Sequence, residues 1–464
     1  MAAERLNPIP RKVHLVGIGG IHMSAIAQML HARGHQVSGS DLRLSALTRR
    51  LEQMGIRVSE GHRSENLGDA ALVVYTSAAK GENPELQEAR RRGIPLLKRA
   101  EMVARLMEGK QVIAVAGSHG KTTTTSLISY MLWLAGANPT FMLGGEMIDL
   151  DTHFRLGDGP HFVVEADEYD AAFLQYHPLI ALVTNIDADH LDYYRSFERL
   201  TETFRQFLKQ VTSCIVACGE DPALQATVSE AVGDDGTPVP IISYGLAGDF
   251  SWSAEKIQQK GIDGYTFMVK CGKEVFGEFE NRLAGVYNVR NCLGAIAVGN
   301  RLGLPRDAIK QAVAEFRGVK RRFELVGRAR DIAVFDDYAH HPTEIEATLR
   351  AARERFPENR LVCLFQPHTY SRTRYLLEKF RSCFQDADQV LIAETYAARE
   401  EPVAGMSAQQ LAEKISAPSA SYAGSLEEAR GKALEVLRPG DVFFTVGAGD
   451  IDSVGREVLE ALRR

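Results

Sequence analysis

Residues 112–125 read VIAVAGSHGKTTTT: five small or branched apolar residues, a turn with two glycines, then a lysine and four threonines. The apolar run, closed by a glycine, has the length and composition of a strand buried on both faces, as in a parallel sheet. The apolar spacing then continues through Leu134, which predicts a helix starting at the turn. In a strand–glycine turn–helix unit, the free backbone N–H groups and the helix N-terminus form a cavity for phosphate oxygens. Lys121 would place a point charge on the β- and γ-phosphates, and the Thr122 hydroxyl would hold Mg²⁺. Val115 stands where the G-x-x-x-x-G-K-[ST] pattern has its first glycine. The turn nevertheless predicts an ATP site at Gly117, Ser118, His119, Gly120, Lys121, Thr122 and Thr123.

The same rhythm surrounds this unit on both sides. Toward the N-terminus, Val13–Val16 is a short apolar strand, Gly17-Ile18-Gly19-Gly20 a turn, and Met23–Leu30 a helical run. A strand at Gln36–Ser40 ends at Asp41, and another at Ala71–Tyr75 runs into Thr76-Ser77-Ala78-Ala79. Gly17 and Gly19 fit a dinucleotide fingerprint and Asp41 has the spacing of a ribose-binding acid, but His22 replaces the third glycine. NAD(P), another nucleoside diphosphate and a purely structural turn all remain open on these residues.

Toward the C-terminus, apolar strands at His161–Val164 and Leu179–Thr184 are followed by Glu165-Ala166-Asp167-Glu168-Tyr169-Asp170 and by Asn185-Ile186-Asp187-Ala188-Asp189-His190. Carboxylates at the carboxyl ends of parallel strands, in the unit that carries the phosphate turn, suit Mg²⁺ held beside phosphates. A polar stretch near 233–240 and alternating residues near 264–276 predict an added β portion. The rhythm restarts after Arg321-Arg322-Phe323, with strands at 333–335, 361–365, 390–393 and 442–446. Two of these lead into Asp336-Asp337-Tyr338-Ala339-His340-His341-Pro342-Thr343-Glu344 and Gln366-Pro367-His368-Thr369-Tyr370-Ser371-Arg372. Adjacent His340 and His341 diverge on any regular element, so these loops suit recognition of a small polar substrate better than a shared zinc ion. The chain therefore divides into three α/β units, at 1–109, 110–320 and 321–464.

Composition constrains the setting. With 464 residues, 45% hydrophobic and 25% charged, the chain can build several cores. Its 54 Lys+Arg against 60 Asp+Glu give a formal charge of −6, so no overall basic field draws nucleic acid or anionic lipid. The six cysteines include one C-x3-C pair, Cys214 and Cys218, and no zinc-site spacing, as expected of reduced, mostly buried thiols. The opening residues lack the apolar segment of a secretory signal. Thr122–Gly145 carries no charge but is broken by Thr, Ser, Gly, Asn and Pro, so a buried helix and loop are expected rather than a membrane span. A cytoplasmic protein is the expectation.

Eight stretches in series resemble the Mur ligase family: GIGGIHMSAIA (17–27), GSHGKTTTT (117–125), EADEYDAAFL (165–174), TNIDADHLDYY (184–194), YNVRN (287–291), RRFE (321–324), DDYAHHPTEI (336–345) and FQPHTYSRT (365–373). The resemblance implies a Rossmann-like N-terminal domain for a UDP-substrate, a central P-loop ATPase domain with a parallel sheet, and a Rossmann-like C-terminal domain for the incoming amino acid. It implies ATP-dependent joining of L-alanine to the lactyl carboxylate of UDP-N-acetylmuramate through an acyl phosphate. That reaction belongs to peptidoglycan precursor synthesis, and so to cell-wall biogenesis, cell shape and cell division. The partners implied are these two small molecules, with no nucleic acid and no membrane insertion, in a monomer or homodimer.

By the same resemblance, Lys121, Glu165, His190 and His340 are the catalytic candidates. Thr122 would bind one Mg²⁺ and Glu165 with His190 a second, Mn²⁺ being an acceptable substitute. Asn288 and Asn291 match adenine contacts, Arg322 a phosphate-side cation and Asp337 an ATP-side acid. The UDP-substrate candidates are Gly17, Gly19, Gly20, Ile21, His22, Ser40, Asp41, Ser77 and Ala78. Tyr338, His340, His368 and Arg372 match the alanine and muramyl region. Tyr169, Thr369, Tyr287 and Ser118 depart from residues frequent in the family. Sibling ligases often carry a carbamylated lysine near the second metal, but no lysine occurs from His190 through Leu208, so none is expected. EADEY also occurs in ligases that attach a ready-made tripeptide to the same sugar, which is the main alternative. An NAD-dependent oxidoreductase or a non-enzymatic ATP-binding module would leave most of these motifs unexplained.

Overall fold

The computed structural model describes residues 8–229, 236, 238–261, 264–398 and 400–464. Half of the polar 233–240 stretch lies outside the described residues. Strands β1 (Lys12–Val16), β2 (Gln36–Asp41), β3 (Arg57–Glu60), β4 (Leu72–Tyr75) and β5 (Leu96–Lys98) form a parallel sheet in the order β3-β2-β1-β4-β5. The chain winds outward from β1 to one side and then to the other, so β1 and β4 flank the switch point, where open α/β sheets bind ligands. The Gly17–Gly20 turn follows β1, Asp41 ends β2 and Ser77 follows β4, so these expected UDP-substrate residues share one edge.

The second sheet comprises β6 (Gln111–Ala116), β7 (Thr140–Met147), β8 (Thr152–Arg155), β9 (His161–Glu165), β10 (Ile180–Val183), β11 (Cys214–Cys218), β12 (Ile241–Gly245), β13 (Trp252–Gln259), β14 (Tyr265–Cys271) and β15 (Glu274–Asn281). Its order is β15-β14-β13-β12-β11-β10-β6-β9-β7-β8. It is parallel from β13 to β7, with antiparallel additions at both ends. The neighbours β10, β6 and β9 bring residues 184–190, 117–122 and 165–168 side by side although they lie far apart in sequence. The uncharged stretch after Lys121 is the buried helix Lys121–Leu134 and the start of β7. No helix among the described residues is long and apolar enough to cross a membrane. All six cysteines are free thiols, and only Cys271 is exposed.

The third sheet is β16 (Glu324–Ala329), β17 (Ile332–Asp337), β18 (Leu361–Phe365), β19 (Gln389–Ala393), β20 (Ala420–Gly424) and β21 (Val442–Val446), ordered β16-β17-β21-β18-β19-β20. It is parallel except for the hairpin β16–β17. The first two domains share one continuous apolar core, whereas the third has its own core on each face of its sheet. Its attachment is therefore largely polar, and the functional groups lie along that attachment.

Candidate active site

The phosphate turn is built by constraints that only glycine meets. Gly117 has φ +124°, and a Cβ there would come within 2.2 Å of Thr184 Oγ1 and 2.9 Å of the Asn185 carbonyl oxygen. Gly120 has φ +81°, and its Cβ would lie 2.7 Å from Asn291 Oδ1. Lys121 opens the helix with its ammonium folded inward. Nζ donates to Glu168 Oε1 and Oε2 at 3.0 and 2.9 Å, to the Ser118 carbonyl at 3.2 Å and to the Gly117 carbonyl. Burial favours the neutral amine, but Glu168 and Asp167 outweigh it and hold the ammonium charged.

Thr122 Oγ1 donates to Glu165 Oε2 at 3.1 Å, and the Gly144 N–H donates to Glu165 Oε1. Burial pushes the Glu165 and Glu168 carboxyls up, despite Lys121 nearby. A buried hydroxyl and a carboxylate without enough compensating charge form an all-oxygen donor pair that fits Mg²⁺. His190, at φ +55°, has Nε2 at 3.8 Å from Glu168 Oε1 and 3.7 Å from Asp189 Oδ2, and its ring packs 5.1 Å from Tyr169. The structure thus sets His190 beside Glu168, while Thr122 pairs with Glu165.

A cavity of about 700 Å³ opens over this turn between the second and third domains. His119, Gly120, Thr122, Thr123, Asn288, Asn291, Arg322 and Asp337 all line it, whereas Gly117, Ser118 and Lys121 are not on its surface. Asn288 and Asn291 lie three apart on the helix Val286–Arg301, so they share a face. Asn291 Nδ2 donates to Asn288 Oδ1 at 3.0 Å, and Asn288 Nδ2 donates to the Ala284 carbonyl at 2.7 Å. The Arg322 guanidinium sits 5.1 Å over the Tyr338 ring. Asp337 ends β17, accepts the Phe323 and Ala339 N–H groups at 2.8 and 2.7 Å, and is pushed up to about 6 by burial. Tyr287 also lines this cavity, and the Ser118 hydroxyl accepts the Asp187 N–H at 2.8 Å.

A second cavity, about 1020 Å³, takes walls from all three domains. Gly17, Gly19, Gly20, Asp41 and Ala78 come from the first, Tyr169 and His190 from the second, and Tyr338, His368, Thr369 and Arg372 from the third. Arg372 donates to Asp189 Oδ1 at 3.1 Å and to His368 Nδ1 at 3.0 Å. His340 turns away from His341: its Nδ1 is 3.1 Å from the Tyr338 carbonyl and its ring is 5.8 Å from His368. Burial and Arg372 pull His340 down to about 3, which leaves it neutral.

Four of the UDP-substrate candidates do not line this cavity, and neither does His340 of the alanine and muramyl region. Ile21 is the first residue of its helix. His22 Nδ1 accepts from Arg99 at 2.6 Å, and burial with that cation pulls it down to about 3. Ser77 donates to Asp170 at 3.4 Å across the domain seam, and Ser40 donates inward to Glu85 at 2.6 Å.

Sequence reasoning passed over Glu168 as the partner of Lys121, and Asp187 and Asp189 as anchors for the third domain. Asp187 accepts from His119 Nε2 at 3.0 Å, Thr343 Oγ1 at 2.8 Å and Lys379 Nζ at 3.3 Å. His119 Nδ1 faces Glu344 at 3.2 Å, and these two carboxylates outweigh burial to lift His119 to about 9. The acidic run after β10 was the available signal, but spacing alone does not say which carboxylate crosses to another domain.

Comparison with known proteins agrees with the three-domain fold. The chain matches the Mur ligase family catalytic domain at residues 12–111, the Mur ligase middle domain at 115–299 and the Mur ligase glutamate ligase domain at 321–449. It is 44% identical over 458 residues to a UDP-N-acetylmuramate–L-alanine ligase of an Anaeromyxobacter species, covering 98% of both chains. Among solved structures, a UDP-N-acetylmuramate–alanine ligase from Thermotoga maritima superposes with a TM-score of 0.82 at 30% identity, over 97% of this chain and 98% of that one. A murein peptide ligase from Psychrobacter arcticus gives 0.75 at 26% identity, over 98% and 99%.

Proposed function

The chain belongs to the Mur ligase family, and on that basis we infer that it joins L-alanine to UDP-N-acetylmuramate in peptidoglycan synthesis, using ATP. The observation that carries the reading is the loop after β10. Its residues Thr184–Asp187 line the nucleotide cavity, and Ala188–Leu191 line the three-domain cavity. A terminal phosphate in one cavity and a carboxylate in the other would meet at this loop.

A free carboxylate is a poor electrophile, whereas an acyl phosphate carries a good leaving group. We therefore assign the first step to attack of the lactyl carboxylate on the γ-phosphate, and the second to attack of the alanine amine on the acyl carbon. Lys121 would exchange Glu168 for phosphate oxygens, and Arg322 would face the phosphates from the third domain. Thr122, Glu165 and His190 would hold Mg²⁺, two ions in all with Mn²⁺ able to replace them, which when bound neutralises charge between phosphate and carboxylate. His340 donates Nδ1–H to the Tyr338 carbonyl, so the neutral ring is left with Nε2 as an acceptor that would orient the alanine amine. His368 and Arg372 would orient the amino acid and the muramyl group.

The domain joints belong at 109/110 and 320/321, next to the matched segments 12–111 and 321–449. The polar seam at the second joint favours movement there, with closure driven by contacts made only around bound substrates. The reaction is placed in the cytoplasm, in a monomer or homodimer.

A phosphate-release assay with single omissions tests this reading. Release is expected only when ATP, UDP-N-acetylmuramate and L-alanine are all present. If a murein tripeptide outcompetes alanine by a large factor in kcat/KM, the tripeptide-adding reading replaces it.

A further inference from the structure

Three metal-ligating side chains converge where the second domain meets the third, apart from the Thr122–Glu165 pair. His119 comes from the phosphate turn, Asp187 from the loop after β10, and His341 from the N-cap of the helix Pro342–Arg355. One ligand atom from each lies within 4.8 Å of the other two. His119 Nε2 is 3.0 Å from Asp187 Oδ2, His341 Nδ1 is 3.6 Å from the same oxygen, and the two rings are 4.9 Å apart. The partner of His341 is therefore the distant His119 and not its neighbour His340.

His341 has no solvent exposure, and its Nδ1 accepts the Thr343 N–H at 3.3 Å. The neutral ring must then carry its proton on Nε2, which is buried without a partner. Burial and the nearby His119 pull His341 down to about 4, so neutral is the form it holds. A bare Nδ1 thus faces a carboxylate oxygen, two acceptors with no proton between them, and a cation there would satisfy both. His119 is set for the same ion. Its Nδ1 edge faces Glu344 Oε1 at 3.2 Å, the carboxylate–imidazole pairing that fixes a ligating ring through its far nitrogen. An ion would take the place of the Nε2 proton while the bond to Glu344 persists. Asp187 also accepts Thr343 Oγ1 and Lys379 Nζ, at 2.8 and 3.3 Å. Two imidazoles and one carboxylate suit Zn²⁺, Co²⁺ or Ni²⁺, whereas Mg²⁺ prefers an all-oxygen set such as Thr122 with Glu165. His119 and Asp187 line the nucleotide cavity, so a further ligand can approach from that side.

We propose that His119 Nε2, Asp187 Oδ2 and His341 Nδ1 bind a divalent transition-metal ion of the zinc class, which ties the third domain to the second and inhibits turnover. His119 and Asp187 stand on one side of the joint and His341 on the other. A bound ion therefore crosses a seam that must loosen for nucleotide to exchange. The binding half stands on these residues alone, and the inhibition half rests on the ligase reading.

The test uses the metal-stripped full-length enzyme in excess Mg²⁺ without nucleotide, titrated with Zn²⁺ by calorimetry and with Co²⁺ by visible absorption. His341→Asn removes the imidazole but keeps an oxygen to cap the helix. The wild-type enzyme is expected to bind one ion that the variant binds at least about a hundredfold more weakly, the upper end of what losing a group that merely supports a ligand costs. With ATP, UDP-N-acetylmuramate and L-alanine at fixed Mg²⁺, the variant should turn over close to the wild-type rate. Its inhibition by Zn²⁺ should weaken by the same factor as its binding. His341→Gln replaces His341→Asn if the urea midpoint shows the latter unfolded. Equal Zn²⁺ affinity in wild type and variant overturns the site. Binding lost in the variant with Zn²⁺ inhibition unchanged overturns the inhibitory role. If the wild-type enzyme turns over none of the substrates in Mg²⁺, the ligase reading falls and the inhibitory role with it, while the titrations still decide the site.

Discussion

The turn at Gly17–Gly20 and the turn at Gly117–Gly120 occupy the same place in two sheets, after a central strand and before a helix, yet they present opposite electrostatics. In the first, the Gly17 and Ile18 N–H groups donate to the Ser40 carbonyl at 2.8 and 3.0 Å, and Gly19 donates to Asp41 at 2.9 Å. No charged side chain stands in the first turn of its helix, where His22 is held neutral. In the second, Lys121 opens the helix and meets Glu168, with Glu165 and Asp167 close by. A turn of the first kind can hold a diphosphate ester whose identity is read elsewhere, at the base and the sugar. A turn of the second kind can hold a phosphate whose charge changes during reaction, because its own charges are already arranged for exchange. The backbone motif supplies the cradle, and the residues after it decide whether the cradle binds or reacts.

The sharpest way to break this comparison is Lys121→Ala. Turnover is expected to fall by roughly 10³-fold or more, the scale of losing a main charge on a transferring phosphoryl group. The circular dichroism spectrum should be retained, and near-normal activity would remove the second turn from the chemistry. The glycines come next. Gly117→Ala drives a Cβ into Thr184 and the Asn185 backbone, so ATP affinity should drop at least about tenfold, with a loss of stability. Gly17→Ala meets the Thr76 Cγ2 methyl at 2.6 Å, a side-chain end that can yield, so the effect should be smaller. It should appear in KM for UDP-N-acetylmuramate and not in KM for ATP; the reverse would contradict the division of labour between the turns. Arg372→Ala ranks below these: it removes the third-domain cation from Asp189 and should raise KM for the sugar nucleotide or alanine several-fold, with ATP affinity unchanged.

The smallest effect concerns pH. His153, buried at the seam of the first two domains against Ser24, is pulled by burial from 6.5 to about 4. The unfolded chain therefore binds a proton there below pH 6.5 that the folded chain refuses until about pH 4, and stability falls as pH drops through that window. His119, lifted to about 9, does the opposite: its contribution is full below 6.5 and is lost as pH rises through 9. Each term is on the order of 1 kcal/mol a little over a unit into its window. Urea midpoints at pH 5, 7 and 9 should show a maximum near neutrality. His153→Gln should flatten the acid side and His119→Gln the alkaline side.

The three-domain α/β architecture was legible because buried parallel strands are near-continuous apolar runs ending at glycine or acidic turns. Val112–Ala116, Leu361–Phe365 and Val442–Val446 need no partner to be recognised. The short, half-exposed β3, the glycine-broken β7 and the two-sided hairpin at β16 carry no such signature and were passed over. Cys214–Cys218, fully buried as β11, drew notice as a cysteine pair when its chemistry is that of a core strand. Within the site, the motif residues could be named from sequence, but their pairings could not. Nothing in EADEY says that its second glutamate takes Lys121, or that Asp187 and Asp189, two residues apart, serve different cavities. Those facts come from strand order, which places 117–122 between 165–168 and 184–190.

The central claim, that the loop after β10 is where ATP and the muramyl carboxylate meet, is tested most directly by following oxygen. UDP-N-acetylmuramate labelled with ¹⁸O in its lactyl carboxylate is turned over with ATP and L-alanine, and the released phosphate and the product are read by mass spectrometry. One labelled oxygen is expected in the phosphate, alongside UDP-N-acetylmuramoyl-L-alanine with one labelled oxygen left at the new amide. Unlabelled phosphate together with amide product would mean that the carboxylate never received the phosphoryl group, and the account would be wrong.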